Sequence, residues 1–452
     1  MNCIYLSRHD IYAIPVGDFW GIELERIFML YAPLSGKSLL LERKMVEDLE
    51  DCASGKLVDS SLKNIITQLS TSANLPFYKM HEEPDHLFQV DILLNYTCNF
   101  KCIYCYSAKG RSNQTIKWEY IKAVVDYLFC SGKKQERPYR INFSGGGEPL
   151  LSFDLIRRTT EYIESVAGKY RYVLGLVTNG SLLTSEIADY LNEHKIKIAI
   201  SFEILEELQN KERGQYNKVT SNIEMLLHRD VPFGIRTTFT HESVKQMREM
   251  IKELHFRFPT IKNVVFDVVL SPDLFKEVSK LRTYYQNFLL EYYAAKPLAS
   301  SLGINVESIA VETLSLLRDR TCEGKIVLTP TGSISACSRV SSPLEKDYTD
   351  FVYGEVKDGG LIFDKRKFQI IMSENNIYTQ AICKDCFAKW NCGGGCRLFH
   401  KSFSEDFLPA KCDFTKEALR VELFHSLCEK FEKKQNEDLY AYIAKKIKDN
   451  QI

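Results

Sequence analysis

Two groups of cysteines constrain this 452-residue chain more than any other feature of its sequence. Of the fourteen cysteines, three lie close together at Cys98, Cys102 and Cys105, and seven more lie from Cys322 to Cys412. Disulfides are disfavoured inside cells, so grouped cysteines there indicate ligation of a metal or a cluster. An isolated cysteine is expected to behave as a small buried hydrophobe, and the isolated ones here are Cys3, Cys52, Cys130 and Cys428.

Composition and charge predict a cytoplasmic protein of two or three domains, since the length exceeds what one core supports. The 59 basic and 59 acidic residues balance, which argues against nucleic acid or an anionic membrane surface as the main partner. No stretch is apolar enough to cross a bilayer. The N-terminus lacks the basic and apolar regions of a signal peptide.

The first 85 residues are predicted to form a small α+β module and a linker. Two strand-like stretches precede two helical patterns, in the order Cys3–Pro15, Arg26–Leu41, Glu42–Ala53 and Ser60–Leu69. Strands followed by small helices are typical of a winged-helix-like module. The polar stretch Ser70–Asp85 contains two prolines and is predicted to be the linker.

Six strand patterns separated by helical segments follow, and they predict a second domain over residues 86–272. The strand candidates are Phe88–Leu94, Arg140–Phe143, Tyr172–Val177, Ile196–Ser201, Phe233–Phe239 and Asn263–Leu270. Repeated β-α units of this length imply a parallel sheet with helices outside. Because six units fall short of eight, we predict an α/β fold with an open, partial (β/α)6 barrel and its chemistry at the carboxyl ends of the strands.

The remainder is predicted as a helical bridge, a cysteine-rich domain and a C-terminal helix, at residues 273–320, 321–414 and 415–452. Helical patterns occur at Leu274–Ala295, Ile304–Arg318 and Thr415–Asp449. Strand-like pieces within the cysteine-rich domain are Lys325–Leu328 and Ser333–Ala336.

The first cysteine group, Cys98-x-x-x-Cys102-x-x-Cys105, follows directly on the first predicted barrel strand. Three thiolates on such a loop can hold three irons of a 4Fe–4S cluster and leave the fourth iron open. S-adenosylmethionine can chelate that iron, and its reductive cleavage gives a 5′-deoxyadenosyl radical. A zinc site would require a fourth Cys or His nearby, yet the next histidine is His194.

This triad, with Tyr104 before its last cysteine, resembles the signature of the radical S-adenosylmethionine superfamily. The stretch Phe143–Leu150 resembles the Gly-Gly-Glu-Pro motif of that family. The resemblance implies S-adenosylmethionine contacts from Gly146, Gly147, Glu148, Asn179, Ser201 and Arg213. The alternative for Arg213 is a solvated surface charge. The family often has Asp where this chain has Glu203, so contacts from that loop stay open.

The seven later cysteines resemble, in their spacing, the SPASM extension of radical enzymes that modify peptides. The resemblance implies two auxiliary 4Fe–4S clusters, one on Cys322, Cys337 and Cys396 and the other on Cys383, Cys386, Cys392 and Cys412. The first of these has only three cysteines, so its open iron could bind a substrate thiolate or another side chain. A lone cysteine folding back could also fill it. A pair of zinc ribbons is the alternative for the whole set.

These resemblances imply a peptide maturase with S-adenosylmethionine and three 4Fe–4S clusters, similar to the thioether-forming maturases of ribosomally made peptides. A hydrogen would be abstracted from a precursor-peptide residue, and a cysteine sulfur would capture the carbon radical. The front module would bind the leader of that peptide, and a plain structural cap is the alternative for it. A flavodoxin or ferredoxin-type donor would supply electrons, in an anaerobic or oxygen-protected cytoplasm.

Other functions stay open at this stage. They are sulfatase-type maturation to formylglycine, carbon–carbon crosslinking or epimerisation of a peptide, and a cluster-bearing protein that escorts a peptide without catalysis. The sequence identifies no catalytic base.

Overall fold

The front of the chain forms a four-stranded antiparallel sheet covered by two helices. In this computed structural model, which describes residues 3–6, 10–71, 77–78, 83–132 and 134–449, the strands pair in chain order. They are β1 (Ile4–Leu6), β2 (Ile11–Pro15), β3 (Ile27–Ala32) and β4 (Lys37–Glu42). The helices are α1 (Arg43–Ser54) and α2 (Ser60–Ser70). The predicted strand-then-helix order is therefore observed.

Local sequence sets the ends of these two helices. α1 ends at Gly55, whose φ of 83° is the left-handed conformation that glycine tolerates. The Asp59 carboxylate caps α2 by accepting from the Leu62 N–H at 2.8 Å. Val46 and Leu49 of α1 pack on the sheet in a small separate core, while Tyr12, Met29 and Tyr31 of the same sheet belong to the main core of the molecule.

The predicted linker is only partly described, since residues 72–76 and 79–82 lie outside the described residues. Phe77–Tyr78 forms the short strand β5, and Pro84–His86 forms a single 3-10 turn. β5 pairs in parallel with a strand 240 residues later, Leu317–Arg318. This part of the linker is therefore hydrogen-bonded to the rest of the molecule.

Six parallel strands with helices between them form the centre of the molecule, as the sequence predicts. The strands are β6 (Gln89–Ile92), β7 (Tyr139–Phe143), β8 (Tyr172–Thr178), β9 (Lys197–Ser201), β10 (Phe233–Phe239) and β11 (Asn263–Val268). The helices are α3 (Trp118–Phe129), α4 (Phe153–Val166), α5 (Ser185–Glu193), α6 (Glu206–Glu212), α7 (Tyr216–His228) and α8 (Met247–Arg257). Neighbouring strands pair in chain order, so the sheet is an open partial barrel.

This sheet has more strands than the six predicted, because eleven strands among the described residues pair in it. At one end β12 (Asn305–Glu307) pairs in parallel with β11, and at the other β14 (Ile326–Leu328) pairs in parallel with β6. An antiparallel meander of β15 (Ser333–Ser335), β16 (Val352–Lys357) and β17 (Gly360–Phe363) continues from β14. The cysteine-rich region thus extends the sheet of the barrel.

The helical predictions in the second half needed three corrections. The helix expected at Leu274–Ala295 is α9 (Val278–Ser301), because Pro272–Leu274 forms a 3-10 turn before it. The helix expected at Ile304–Arg318 is instead β12, the one-turn α10 (Ile309–Glu312), a 3-10 turn and β13 (Leu317–Arg318), because β12 and β13 pair with distant strands. The predicted C-terminal helix is two helices, α15 (Leu408–Gln435) and α16 (Leu439–Lys448), broken at Asn436 with φ 56°.

Shorter helices complete the cysteine-rich region. They are α11 (Tyr348–Phe351), α12 (Lys365–Ser373), α13 (Lys389–Cys392) and α14 (Arg397–Ser402). None of the described helices is both long enough and apolar enough to cross a membrane.

The segment Gly17–Trp20 connects the front module to the C-terminal helices through side-chain contacts. Arg420, buried on α15, makes two ion-pair contacts to the Asp18 carboxylate, at 2.7 and 2.9 Å. The Phe19 ring stacks on Phe424 with centroids 4.3 Å apart. The Trp20 indole N–H donates to the Tyr440 carbonyl at 3.0 Å. These contacts join the two ends of the chain.

Removing the Asp18 carboxylate should loosen this junction, because it leaves the buried Arg420 guanidinium with fewer acceptors. We expect Asp18→Ala to lower the free energy of unfolding by about 1–2 kcal/mol, measured as a shift of the urea midpoint. Asp51→Ala is the matched control, since Asp51 pairs with Lys56 at the exposed end of α1, and it should change stability by less than about 0.5 kcal/mol. Equal midpoints for the two variants would contradict this role of Asp18.

Candidate active site

A cavity of about 600 Å³ opens at the carboxyl ends of the barrel strands. The structure brings to it all three cysteines of the first group, Cys98, Cys102 and Cys105. It also places there every residue that the sequence assigned to S-adenosylmethionine, namely Gly146, Gly147, Glu148, Asn179, Ser201 and Arg213. Residues at the ends of four strands, β6 to β9, therefore meet in one space of the size that a nucleoside-containing ligand requires.

The cysteine loop carries donors that suit sulfur ligands. The Phe100 N–H donates to the Cys98 sulfur at 3.5 Å, and the Arg111 guanidinium donates to the Cys105 sulfur at 3.3 Å. Burial raises the pKa of Cys98, and raises the pKa of Cys102 to about 11. The free thiols are therefore protonated near neutral pH and would lose their protons on binding iron. Three convergent sulfurs with N–H donors fit a 4Fe–4S cluster with one open iron.

The glycines after β7 line the cavity and also let the backbone approach the root of the cysteine loop. A Cβ on Gly147 would lie 1.8 Å from the Thr97 carbonyl oxygen, and one on Gly146 would lie 2.6 Å from that of Asn95. The Gly147 N–H donates to the Asn95 carbonyl at 2.9 Å. No side chain fits between these two segments.

Glu148 joins the glycine loop to the third barrel strand. Its carboxylate accepts from the Thr178 hydroxyl at 2.6 Å, the Asn179 N–H at 2.8 Å and the Leu150 N–H at 3.1 Å. Burial raises the pKa of this carboxyl group. The resemblance assigned Glu148 to contact with S-adenosylmethionine, and in this structure its carboxylate already accepts from three protein donors. The Asn179 side chain in turn donates to Asn99 of the cysteine loop at 2.8 Å.

A buried group of three polar residues, Tyr104, Glu203 and Arg213, forms another wall of the site. The Arg213 guanidinium donates to the Tyr104 hydroxyl at 2.9 Å and lies 3.9 Å from the Glu203 carboxylate, which accepts from the same hydroxyl. Arg213 is therefore no solvated surface charge: its side chain is 9% exposed. Burial raises the pKa of Glu203 to about 8. The sequence marked Tyr104 and Glu203 only as motif positions, and their contact was not predicted.

Two further ion pairs on the cavity wall were missed by the sequence analysis. The buried Asp91 carboxylate of β6 pairs with the Lys325 ammonium at 2.6 Å, and Lys325 also donates to the Ser338 hydroxyl at 3.1 Å. Arg236 of β10 pairs with Asp267 of β11 at 2.7 Å. Because Asp91 and Lys325 are 234 residues apart, no local pattern could have predicted that they meet.

Several of the later cysteines lie near one another in the structure. Burial and the nearby Cys396 and Cys322 thiols raise the pKa of Cys337 to about 11. Burial and the nearby Cys392, Cys386 and Cys383 thiols raise the pKa of Cys412 to about 12. Within the described residues, no group of three Cys, His, Asp or Glu side chains is arranged so that it could hold a single metal ion. Each set of sulfurs is chemically suited to an iron–sulfur cluster.

The isolated cysteines differ from the prediction in three of the four cases. Cys130 is exposed, so it is no buried hydrophobe. Cys3 is half-buried beside the second auxiliary group, where burial and Cys386 raise its pKa to about 12. Cys52 packs in the core of the front module as expected, and Cys428 is half-buried on α15.

Comparison with known proteins gives the class of this site. The profile of the radical SAM superfamily matches residues 92–254, which include the cysteine triad, the glycine loop and Arg213. The chain therefore contains a radical SAM domain, and such a domain works with S-adenosylmethionine and a 4Fe–4S cluster.

Particular relatives share parts of this chain. An uncharacterised protein of Methanocaldococcus jannaschii is 30% identical over 178 residues, 38% of this chain and 59% of that protein. The radical SAM cyclopropyl synthase TigE of Paramaledivibacter caminithermalis is 27% identical over 27% of this chain and 28% of its own length. A cysteine-type anaerobic sulfatase-maturating enzyme of Clostridium novyi is 24% identical over 36% of this chain and 46% of its own length. Each match spans less than two thirds of the relative.

Two solved structures share the fold. anSMEcpe with bound AdoMet superposes with a TM-score of 0.59 at 18% identity, covering 75% of this chain and 98% of that one. Streptococcus suis SuiB bound to its precursor peptide SuiA superposes with a TM-score of 0.51 at 13% identity. That match covers 87% of this chain and 98% of the SuiB chain. The predicted fold class is confirmed by these likenesses and by the observed parallel sheet.

Adding one methyl group at Gly147 should displace the cysteine loop, because a Cβ there would overlap the Thr97 carbonyl. We expect Gly147→Ala to lower reductive cleavage of S-adenosylmethionine at least about a hundredfold, measured as 5′-deoxyadenosine formed by reduced protein. Gly234→Ala is the matched control, since a Cβ at Gly234 on β10 meets no atom within 4 Å. Wild-type turnover by Gly147→Ala would show that this contact does not position the triad.

Proposed function

We propose that this chain is a radical SAM peptide maturase that joins a cysteine sulfur to a carbon of its substrate as a thioether. The observation that carries the proposal is the single cavity in which the cysteine triad of the barrel faces Lys325 and Ser338 of the cysteine-rich region. Radical formation and sulfur delivery would then occur in one space. TigE, the sulfatase-maturating enzymes and SuiB with its precursor peptide support a peptide substrate.

The residues of the barrel would hold the cofactors and keep them in place. Cys98, Cys102 and Cys105 would bind the first cluster, and the buried Arg213 would offer its positive charge to the carboxylate of S-adenosylmethionine. When both are bound, S-adenosylmethionine and the first cluster together supply a carbon radical that can abstract hydrogen. Glu148 positions the loops around the ligand, because its oxygens are engaged by the protein.

The opposite end of the cavity would position the sulfur of the substrate. Cys322, Cys337 and Cys396 would hold one auxiliary 4Fe–4S cluster, whose open iron offers a place for a thiolate. Cys383, Cys386, Cys392 and Cys412 would hold the other. The ammonium of Lys325 lines the cavity and interacts with Cys337 and Cys322. Positive charge at this point favours the thiolate form of an incoming cysteine.

The overall change in the peptide is a two-electron oxidation. A C–H and an S–H bond break and a C–S bond forms. One hydrogen atom would leave to the adenosyl carbon, the thiol proton would leave to solvent, and the remaining electron would pass to the auxiliary cluster that Cys322, Cys337 and Cys396 would hold. An electron donor of the flavodoxin or ferredoxin class would supply the electron that cleaves S-adenosylmethionine.

Formylglycine formation in a sulfatase is the second candidate, because the Clostridium novyi relative is a sulfatase-maturating enzyme. The front sheet argues for a peptide with a separate leader, since β1–β4 and its helices form a module before the barrel. A leader-binding module has no evident use in modification of a sulfatase.

Changing Cys98, Cys102 and Cys105 together to Ala should abolish formation of 5′-deoxyadenosine by the anaerobic, dithionite-reduced protein. Iron content should fall from about twelve to about eight atoms per chain, because the two auxiliary clusters remain. Cys130→Ala, at an exposed isolated cysteine, should leave both values unchanged. 5′-Deoxyadenosine from the triple variant would refute the cofactor assignment, and stoichiometric zinc with about four irons in the wild type would make the tail a zinc domain.

A cysteine-containing precursor peptide encoded beside the gene should emerge two hydrogens lighter, with one thiol fewer available to an alkylating reagent. Both are measured by mass spectrometry. Lys325→Met should lower the yield of this product about tenfold or more, because the positive charge near the sulfur is removed. Uncoupled cleavage of S-adenosylmethionine should persist, since the Asp91 carboxylate loses its ion pair with Lys325 but keeps the Asn142 amide as a donor at 3.1 Å. A modified peptide in which every thiol still reacts would exclude a thioether and favour carbon–carbon bonding or epimerisation.

A further inference from the structure

The active-site cavity is wider than the part assigned to S-adenosylmethionine. The residues assigned to that ligand lie at or beyond the ends of β7, β8 and β9. The cavity wall continues to Leu270 after β11, Ile309 at the start of α10 and Arg339 after β15. Neither the cofactor assignment nor the proposed chemistry gives these three residues a role. This part of the cavity is therefore available to a substrate.

Four of the five basic side chains that line this cavity are engaged by acceptors of the protein. The acceptors are the Asp91 carboxylate for Lys325, the Asp267 carboxylate for Arg236, the Tyr104 hydroxyl for Arg213 and the Phe100 carbonyl for Arg111. The fifth is Arg339. Within the described part of the chain, no acceptor lies within hydrogen-bond distance of its guanidinium and no carboxylate lies within ion-pair distance.

The Arg339 side chain is nevertheless held in place. Its guanidinium lies over the Tyr106 ring, 5.4 Å from the centroid. This contact uses the positive charge and one face of the group, whereas the N–H donors lie in its plane. The backbone there is a fixed turn, because the Val340 N–H donates to the Cys337 carbonyl at 3.1 Å. The donors are thus oriented before any ligand binds, so binding costs little ordering.

Arg339 stands between the two groups of cysteines that the proposed reaction uses. Tyr106 directly follows Cys105 of the first group, and Arg339 comes two residues after Cys337 of the auxiliary group. A peptide that meets the radical near one group and offers its sulfur near the other must pass the guanidinium. Ile309, which is 49% exposed, lines the same cavity and offers the peptide an apolar contact.

We propose that Arg339 binds a carboxylate of the peptide substrate close to the modified cysteine, and so makes the enzyme selective for acidic sequence. This rests on the proposed function, since that function supplies the peptide. A carboxylate would accept two parallel hydrogen bonds from the planar guanidinium, and the low dielectric of the cavity strengthens them. The carboxylate belongs either to an Asp or Glu side chain or to the C-terminus of the peptide.

The carboxylate of S-adenosylmethionine is the other anion expected in this cavity. The buried Arg213 already serves it in the proposed function, beside the ends of β7, β8 and β9. Arg339 instead follows β15, which the sheet order places beyond β14, on the side of β6 away from β7. Arg339 is also exposed, which suits a peptide entering from solvent better than an enclosed cofactor.

The test uses the anaerobically reconstituted full chain with S-adenosylmethionine and short fluorescent peptides that each contain one cysteine. In three of them Glu, Gln or Lys flanks the cysteine and the C-terminus is amidated. The fourth has Gln and a free C-terminal carboxylate. Fluorescence anisotropy should show that a peptide with a carboxylate binds about tenfold or more tightly than the amidated Gln peptide. The Glu peptide and the free C-terminus distinguish the two sources of that carboxylate.

Reversing the charge at this position should reverse the selectivity. Arg339→Glu should lose the preference for a carboxylate and bind the Lys peptide most tightly, because the new side chain attracts the opposite charge. Arg158→Glu is the matched control. Arg158 is also exposed and also lies over an aromatic ring, 4.0 Å from the Trp118 centroid, but outside the cavity. This control should keep the wild-type order of affinities.

Several results would overturn the proposal. They are equal affinity for all four peptides, binding of none of them, or an unchanged order of affinities in Arg339→Glu. A raised KM for S-adenosylmethionine in peptide-free cleavage by Arg339→Gln would assign Arg339 to the cofactor instead. Selective binding of a carboxylate by a wild type that forms no thioether would refute the proposed function and leave the role of Arg339 standing. Thioether formed with equal kcat/KM from the Glu and both Gln peptides would refute the role of Arg339 alone.

Discussion

The active site depends on the contact between the glycine loop after β7 and the root of the cysteine loop after β6. The Gly147 and Glu148 N–H groups donate to the Asn95 and Thr97 carbonyls, with no room for a side chain between them. Glu148 continues the connection to Thr178 and Asn179, and the Asn179 side chain returns to Asn99 in the cysteine loop. The loops therefore form a closed circuit of hydrogen bonds, and the three sulfurs are held by it before any cofactor arrives.

Local patterns in the sequence predicted the elements whose structure is decided locally. Phe233–Phe239 is a strand with the predicted limits, and the other five barrel strands differ at their ends only. The failures occur where distant pairing decides. Asn305–Glu307 lies in a helical pattern but is a strand, because it completes the edge of β11, and tertiary pairing outweighs weak helix propensity. The extension of the barrel sheet by β14 likewise could not be predicted from local hydrophobic periodicity, because β14 pairs with the distant strand β6.

The candidate active site also divides into features that local sequence predicted and features that depend on distant segments. The spacing of Cys98, Cys102 and Cys105 on one short loop predicted that their sulfurs would line one cavity. The two auxiliary sets were implied only by the resemblance to the SPASM extension. The group of Tyr104, Glu203 and Arg213 comes from three segments and was not predicted as a unit. The contact of the glycines with the root of the cysteine loop was not predicted, because the glycine-rich stretch indicates a close approach without showing which segment approaches.

The pairing of β14 with β6 has a consequence for how this protein can be built or rebuilt. The strand that leads into the cysteine triad is bonded on one side to β7 of the barrel and on the other to the cysteine-rich region, with the ladder extended by the Leu93 N–H to the Leu328 carbonyl at 2.9 Å. The two regions are thus not exchangeable modules. A chimaera that replaced the C-terminal half would have to supply a strand of matching register, or leave the central strand with an open edge.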